Sequence, residues 1–417
     1  MKNFLCKSRN IVRDSYIWNI VGSTLNSFQS VLFLVLLTRL VLLGESGIFT
    51  ISFAYSNLFL TIGKYGMRYY QVSDQNNDYS LIEYTKSRFV TTFAMIITTV
   101  AVIYVVAYKS NYSIRKTIIV YLVCFYRIPE AFEDVFQGNL QQNGRMDIAS
   151  KSLAIRMIIS LASYGFSLIV FKDQLIAIAI TLATTAVSVI WLLWIVKDEY
   201  VIKTYAGLRG WNIVQLLKNC FPLFFGGFIS IYVTNAPKYS IDLLLGDSQQ
   251  AVYGFIAMPV SAIGLLSGFI FSPSVYSLSV EWKNNKKTFY RKIVFQMMAV
   301  IAITVGSILL AWFCGIQVLS FLFNTELDGY RNDLLILLLG GGFSALSALL
   351  GIYITIIRKQ KWLSVGYIIT ALAALLISNR VVLSYGVRGA SFLYLGLMFI
   401  LSLVFFVMLI NGLENIE

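Results

Sequence analysis

The stretch FPLFFGGFISIYVTNAPKYSIDLLL, residues 221–245, decides the fold. It is longer than the roughly 20 residues that an α-helix needs to cross a bilayer, and most of its side chains are apolar. Asn235, Lys238 and Asp242 nevertheless lie inside it, three and four residues apart, as on one face of a helix. In hydrocarbon, such groups occur where they are buried in protein or face a water-filled cavity. We therefore predict a membrane-spanning helix that lines a polar path.

Prolines interrupt this stretch and one other apolar segment. Pro237 has no N–H to donate, and its ring clashes with the preceding turn, so we predict that the helix kinks or unwinds there. On the same grounds we predict hinge positions at Pro222, Pro259 and Pro273.

The composition fixes the broad class of the protein. Of 417 residues, 58% are hydrophobic and 13% are charged, and the mean hydropathy is +0.75. A soluble globular chain of this size would have too little polar surface to cover it. We predict an all-α polytopic membrane protein.

Residue types that carry enzyme chemistry are scarce. The sequence contains no histidine, the commonest general base and metal ligand, and its four cysteines are far apart, as expected of free thiols. We therefore predict no catalytic residue, no metal site and no cofactor, and a protein that is not an enzyme.

Apolar segments long enough to cross a bilayer recur about twelve times. We predict spans at 16–40, 47–70, 89–108, 117–138, 148–171, 175–196, 221–245, 251–277, 293–323, 330–357, 363–384 and 387–410.

A short internal match indicates a duplication. LLGES at 42–46 follows the first predicted span, and LLGDS at 244–248 follows the seventh. We predict two six-helix halves, 1–196 and 221–417, related by a parallel pseudo-two-fold repeat and joined by a cytoplasmic linker, 197–220.

The net charge of +13 is explained by the connections between spans. Lys and Arg concentrate before the first predicted span and after each even-numbered span, which is the distribution that the positive-inside rule gives to cytoplasmic segments. We predict that both termini are cytoplasmic and that the charge does not bind nucleic acid.

Polar residues in the first two spans extend the predicted cavity. Asn57, Lys64 and Arg68 form one stripe on the second span, and Asn26 lies on a polar face of the first. Ammonium and guanidinium groups suit a phosphate, and amides suit sugar hydroxyls. The alternative is that Lys64, Arg68 and Lys238 snorkel to the membrane interface.

Carboxylates supply candidates for ion coupling. Glu130 and Asp134 follow Arg127 on one stripe of the fourth span, and Asp242 lies in the seventh. Carboxylates in low-dielectric surroundings can exchange protons or bind a cation. For Glu130 and Asp134 we favour the alternative, an ion pair between Arg127 and Glu130 on a helix that protrudes into the cytoplasm.

Four motifs carry a family resemblance over nearly the whole chain: LLGESGIF at 42–49, FQGNLQQNGRM at 136–146, FPL at 221–223 with NAPKY at 235–239, and YGVRGA at 385–390. On these motifs the sequence resembles the oligosaccharide flippases, the O-antigen and polysaccharide translocases. Their superfamily also contains the multidrug and toxin extrusion transporters.

The resemblance implies a flippase of the bacterial cytoplasmic membrane. It would move a polyprenyl-pyrophosphate-linked oligosaccharide from the inner to the outer leaflet by alternating access. The resemblance also implies a cationic cavity with Lys238, Lys64, Arg68 and Arg39, and a polysaccharide polymerase and a chain-length regulator as partners.

Two alternatives belong to other classes. An ion-coupled multidrug or small-molecule antiporter on the same fold would need carboxylates at mid-depth in the first two spans, which have none. An intramembrane glycan polymerase would need a long external loop, and the predicted external loops are short.

Overall fold

A computed structural model describes residues 1–74, 78–201, 212–271, 274–359 and 361–414. Within these ranges all regular secondary structure is helical. The predicted hinge Pro273 and residues 202–211 of the predicted linker lie outside the described residues.

The helices before the middle of the chain are α1 Lys2–Cys6, α2 Ile11–Leu40, α3 Leu43–Lys64, α4 Met67–Ser73, α5 Leu81–Lys109, α6 Ile114–Phe125, α7 Ile128–Gln142, α8 Met146–Phe171 and α9 Gln174–Ile195. Those after it are α10 Asn212–Leu244, α11 Asp247–Phe271, α12 Val275–Asn284, α13 Lys286–Leu310, α14 Ile316–Phe323, α15 Arg331–Ile356 and α16 Lys361–Glu414.

Ten helical segments in the described ranges are long and apolar enough to cross a membrane. The fourth predicted span is absent from the ten because it consists of two shorter helices, α6 and α7. The last two predicted spans form the single segment Lys361–Leu413, inside which Gly386 has non-helical angles (φ 60°, ψ −139°). The chain is an all-α multi-pass membrane protein, and the count of twelve spans stays a prediction.

The chain forms two compact units, unit 1 from Met1 to Phe228 and unit 2 from Ile229 to Glu417. The boundary falls inside α10 and not in the predicted linker, because the first turns of α10 pack on unit 1. Phe224 stacks on Tyr65 with ring centroids 4.5 Å apart, and Asn219 donates hydrogen bonds to the hydroxyls of Tyr70 and Tyr79.

The prediction of an unwound segment at Pro237 is wrong. Helix α10 is continuous from Asn212 to Leu244, and α11 likewise continues through Pro259. A proline removes a single backbone donor, whereas unwinding in hydrocarbon would leave several groups without partners. The Asn235 side-chain amide also donates to the carbonyl of Ile231 at 3.0 Å, which ties it to the preceding turn.

Two helix breaks occur in unit 1. Between α3 and α4, Tyr65 and Gly66 both have positive φ (51° and 66°), and a Cβ at Gly66 would lie 2.7 Å from that of Leu223. Between α6 and α7, the chain turns at Arg127, and Pro129 begins the new helix, a position that proline favours. Both breaks lie beside charged residues.

Candidate functional site

Unit 1 contains a connected group of ionised side chains, which we name the charged cluster. It has five cations and three carboxylates. The members are Lys64, Arg68, Arg88, Arg127, Arg156, Glu130, Glu133 and Asp134.

Five helices position these groups. Lys64 ends α3, Arg68 lies in the first turn of α4, and the remaining arginines come from α5, the α6–α7 break and α8. All three carboxylates lie in the first two turns of α7, where the positive end of the helix dipole favours negative charge. The breaks at Tyr65–Gly66 and Arg127 therefore bring the cations of α3 and α4 to the carboxylates of α7.

Glu130 contacts three cations. One carboxylate oxygen lies 2.8 Å from Lys64 Nζ, and the other lies 2.7 Å from Arg127 Nη1 and 4.0 Å from Arg156 Nη1. The predicted pair of Arg127 with Glu130 is present, but both side chains are buried. Both oxygens of Glu130 thus contact cations of the protein itself.

Asp134 joins two further arginines to the end of α3. Its oxygens lie 2.9 Å from Arg88 Nη2 and 3.7 Å from Arg68 Nη1. Arg88 also donates to the carbonyl of Gly63, which accepts a second hydrogen bond from Thr91 at 2.9 Å. Arg88 therefore satisfies a free carbonyl in the last turn of α3, where positive charge is favourable.

Glu133 completes the cluster through Arg156, whose Nε lies 2.7 Å from a Glu133 oxygen. Five cations against three carboxylates leave a formal excess of two positive charges. Lys64 and Arg68 keep 34% and 25% of their side-chain surface exposed, whereas the other members are buried. The excess charge is therefore accessible at Lys64 and Arg68.

Amide and hydroxyl groups surround the ionised atoms. Gln137 and Gln141 accept hydrogen bonds from Arg68 at 2.9–3.1 Å, and Asn57 accepts one from Arg127 at 3.1 Å. Gln29, from α2, donates to Tyr126 and to Ser160. The site therefore has an excess of positive charge and also amide and hydroxyl groups that can form hydrogen bonds with the hydroxyls of a ligand.

The predicted site residues of unit 2 lie on α10. Lys238 is partly buried, and in the described part of the chain its ammonium has no carboxylate or hydrogen-bond partner. Asn235 is turned into its own helix by its bond to Ile231, and Asp242 is buried. Two residues after Lys238, Ser240 donates to Asn379 of α16 at 2.9 Å and so fixes this part of α10 within unit 2.

The structure gathers several predicted residues and separates others. Lys64, Arg68 and Asn57 lie in or against the charged cluster, together with the predicted ion-coupling residues Glu130 and Asp134. Asn26 lies one turn before Gln29 on α2, with its side-chain oxygen buried and without a partner among the described residues. The last turn of α2 holds Arg39, about 20 Å along the helix from Asn26 at 1.5 Å per residue.

Sequence reasoning missed Arg88 and Arg156 as site residues by assigning them to cytoplasmic segments. A signal for Arg88 was present: Ser80 and Glu83 form a capping box that starts α5 at Leu81, so Arg88 lies two turns inside the helix. For Arg156 the signal was its depth, since α8 starts at Met146. Among the described residues no group of His, Cys, Asp or Glu is arranged to hold a metal ion.

Comparison with known sequences gives one family and one curated relative. The sequence profile of the polysaccharide biosynthesis protein family matches residues 12–281. A capsular polysaccharide biosynthesis protein of Staphylococcus aureus, CapF, is 27% identical over 281 residues, which cover 65% of this chain and 69% of that protein.

Comparison with solved structures gives the fold. An inward-facing multidrug resistance transporter of the MATE family, in the MOP superfamily, superposes with a TM-score of 0.65 at 12% identity, covering 95% of this chain and 98% of that one. An outward-facing transporter of the same family gives 0.61 at 13% identity, covering 97% and 95%. These likenesses confirm the predicted fold, an all-α multi-pass membrane protein.

Proposed function

The chain belongs to the polysaccharide biosynthesis protein family, and from that premise we propose that it is a flippase for lipid-linked oligosaccharide. The substrate is a polyprenyl-pyrophosphate-linked O-antigen or polysaccharide repeat unit, carried from the inner to the outer leaflet of the bacterial cytoplasmic membrane by alternating access. The carrying observation is the charged cluster, with its excess of two positive charges accessible at Lys64 and Arg68.

The chemistry of the cluster matches the charged part of this substrate. A pyrophosphate diester carries two negative charges, which balance the excess of the cluster. An arginine binds phosphate oxygens through two parallel hydrogen bonds, and a lysine acts as a point charge. Arg68 and Lys64 supply one of each. Arg68 now contacts Gln137, Gln141 and Asp134, and Lys64 contacts Glu130.

Substrate binding on this proposal is an exchange of partners. When no phosphate is present, the carboxylate of Glu130 pairs with the ammonium of Lys64. This ion pair avoids an unpaired charge in surroundings of low dielectric. An arriving phosphate replaces Glu130 at Lys64, and Glu130 keeps Arg127 and Arg156. Lys238 of unit 2 has no partner of its own in the described residues, and its role as a substrate cation stays a prediction.

A cationic multidrug substrate fits this site poorly. The members of the charged cluster sum to a positive charge, and a like charge brought close to it costs free energy in a low-dielectric site. The oxygens of Glu130 and Asp134 already contact lysine and arginine, which leaves them badly placed to take up a coupling cation. Both points favour an anionic substrate over drug antiport.

The test uses proteoliposomes that contain a fluorescent polyprenyl-pyrophosphate-linked oligosaccharide. Leaflet transfer is measured by protection from an impermeant quencher, and the recovered lipid is compared chemically with the starting lipid. We expect the lipid-linked oligosaccharide to be transferred without chemical change, toward the side of the membrane opposite the two termini. Covalent change of the glycan without transfer would overturn the proposal.

Matched variants assign the transfer to the charged cluster. Lys64→Gln with Arg68→Gln should slow transfer about tenfold or more, since a hydrogen bond to a charged group contributes ~1.5–3 kcal/mol. Lys86→Gln with Lys109→Gln removes the same charge from exposed positions on α5 and should leave the rate within about twofold. Equal rates in the two double variants would exclude the cluster as the substrate site.

A further inference from the structure

Unit 2 contains a cavity of about 650 Å³ between α12 and the end of α15. The residues that line it include the apolar Val280, Ile356 and Ile357, together with Trp282 and the exposed Arg358. Known small-molecule sites measure roughly 300–1,000 Å³, so the cavity has the size of a ligand site. It is lined by residues of unit 2 alone and is separate from the charged cluster.

The depth of the cavity follows from the length of α15. Helix α15 has 26 residues and is therefore about 39 Å long, more than the ~30 Å thickness of the hydrocarbon core. Ile356 is its last residue, so the cavity lies where hydrocarbon meets the polar headgroup region. Trp282 and Trp362 flank this end of the unit, as indole rings do at that level.

The residues that line the cavity include the cation Arg358. In the described part of the chain, the Arg358 guanidinium has no carboxylate or hydrogen-bond partner, although its backbone N–H donates to Thr355 at 3.0 Å. The ammonium of Lys286 lies 5.8 Å from the ring centroid of Trp282, within the range of a cation–π contact. The carboxylate of Glu281, on α12, is paired with Lys292.

We propose that this cavity binds an anionic phospholipid of the bilayer leaflet on its side of the membrane. Arg358 binds the phosphate in the bidentate manner of arginine, and Trp282 and Asn284 donate to the glycerol and headgroup oxygens. Val280, Ile356 and Ile357 contact the first methylenes of the acyl chains. A water-soluble anion would leave this apolar wall exposed, which is why the structure favours a lipid over free phosphate.

The test is native mass spectrometry of the purified full chain with dioleoyl phosphatidylglycerol or dioleoyl phosphatidylcholine. We expect one retained phosphatidylglycerol, and about fivefold weaker retention after Arg358→Gln, from the lost charge-assisted contact. Lys361→Gln removes the same charge from an exposed position outside the cavity and should change retention less than about twofold. Arg358→Lys should keep part of the binding.

Further arms distinguish the sources of phosphate. Val280→Trp, at a position that is 39% exposed, fills the cavity without removing charge and should also abolish retention, which keeps the test decisive if Arg358→Gln fails to fold. Displacement of the lipid by millimolar inorganic phosphate would show an anion site and overturn the proposal. So would equal loss in Arg358→Gln and Lys361→Gln, or preference for farnesyl pyrophosphate over phosphatidylglycerol.

Discussion

At the residue scale, the charged cluster joins stability to function. Its buried members stabilise the fold only as a set, because a buried ion left without its partner costs far more than the pair contributes. Arg156 and Glu133 form a buried pair with 2.7 Å between their charged atoms, and Arg156 lies 4.0 Å from its second carboxylate, Glu130. They allow the structural role of the cluster to be tested apart from Lys64 and Arg68.

We predict that Arg156→Met lowers the free energy of unfolding by about 3–5 kcal/mol, because Glu133 becomes a buried, unpaired carboxylate. The double variant Arg156→Met with Glu133→Gln should lose distinctly less than the single variant. Lys86→Met, at an exposed position, is the control. Unfolding in mixed micelles, followed by circular dichroism, measures all three. A double variant that loses as much as Arg156→Met alone, or more, would exclude coupling between the two residues.

The second prediction at this scale concerns Glu130. If phosphate competes with this carboxylate for Lys64, Glu130→Gln should tighten binding of the pyrophosphate-linked lipid by about three- to tenfold and slow its release. Binding to protein in nanodiscs is measured by the fluorescence of the labelled lipid. The control is Gln215→Glu, which changes the charge by one unit at an exposed position on α10 and should leave the affinity unchanged. Gln296 is unsuitable as a control position, because a glutamate there would be buried. Unchanged affinity in Glu130→Gln would show that Lys64 is not the phosphate ligand.

Sequence patterns predicted about half of the residues of the charged cluster. The stripe Asn57, Lys64 and Arg68 was visible at helical spacing, as was the pair of Arg127 with Glu130. Arg88 and Arg156 were missed because basic residues near span ends resemble the flanking charges of the positive-inside rule. Their contacts with Asp134 and Glu133 join different helices, and the order of residues along the chain does not reveal such pairings.

At the element scale, the helix breaks in unit 1 lie at other positions than the prolines predicted to be hinges. Pro237 suggested a break in the seventh span, yet α10 continues through it. The observed breaks follow from Tyr65–Gly66, which end α3 in the left-handed region, and from Pro129 at the start of α7. A proline at the first turn of a helix costs no hydrogen bond, so Pro129 marks a boundary where Pro237 does not.

Gly66 gives the third prediction. Gly66→Ala should destabilise the protein by about 1–3 kcal/mol, because alanine is strained at φ +66° and its Cβ would lie 2.7 Å from that of Leu223. Gly226→Ala, in the interior of α10 with no atom within 4 Å of the new Cβ, is the matched control and should be neutral or stabilising by up to about 1 kcal/mol. The midpoint of thermal unfolding distinguishes them, and equal midpoints would refute the close approach.

The hinge role of Pro237 stays a prediction, and the helix is unbroken there. Pro237→Ala restores one backbone donor, so it should raise thermal stability modestly while slowing lipid transfer more than it weakens substrate binding. Transfer rates and binding are measured on the same preparation. A variant that transfers lipid at the unmodified rate would show that Pro237 is a tolerated interruption and not a hinge.

At the scale of the whole molecule, composition and apolar periodicity were sufficient for the fold class and for most of the span positions. The spans predicted at 89–108 and 148–171 lie within α5 and α8, whose bounds extend further at one or both ends. The division into halves at 196 and 221 stays a prediction. The boundary between the compact units lies inside α10, because Leu216, Cys220 and Phe224 pack on other residues of unit 1. Such packing depends on neighbours that are distant along the chain.

Orientation in the membrane is the last prediction, and it rests on charge. Basic residues concentrate in the connections predicted to be cytoplasmic, such as that between α12 and α13, which places Lys287 inside the cell and Asp328 outside. Buried thiols simplify the test: Cys124 and Cys220 have no exposed surface and can stay, while Cys6 and Cys314 are replaced by serine and alanine. An impermeant maleimide added to intact cells should then label Asp328→Cys and spare Lys287→Cys, and lysis should expose the latter. Labelling of Lys287→Cys in intact cells would show that the orientation is the opposite of the predicted one. Both termini would then lie outside the cell, which would contradict the proposed direction of transfer.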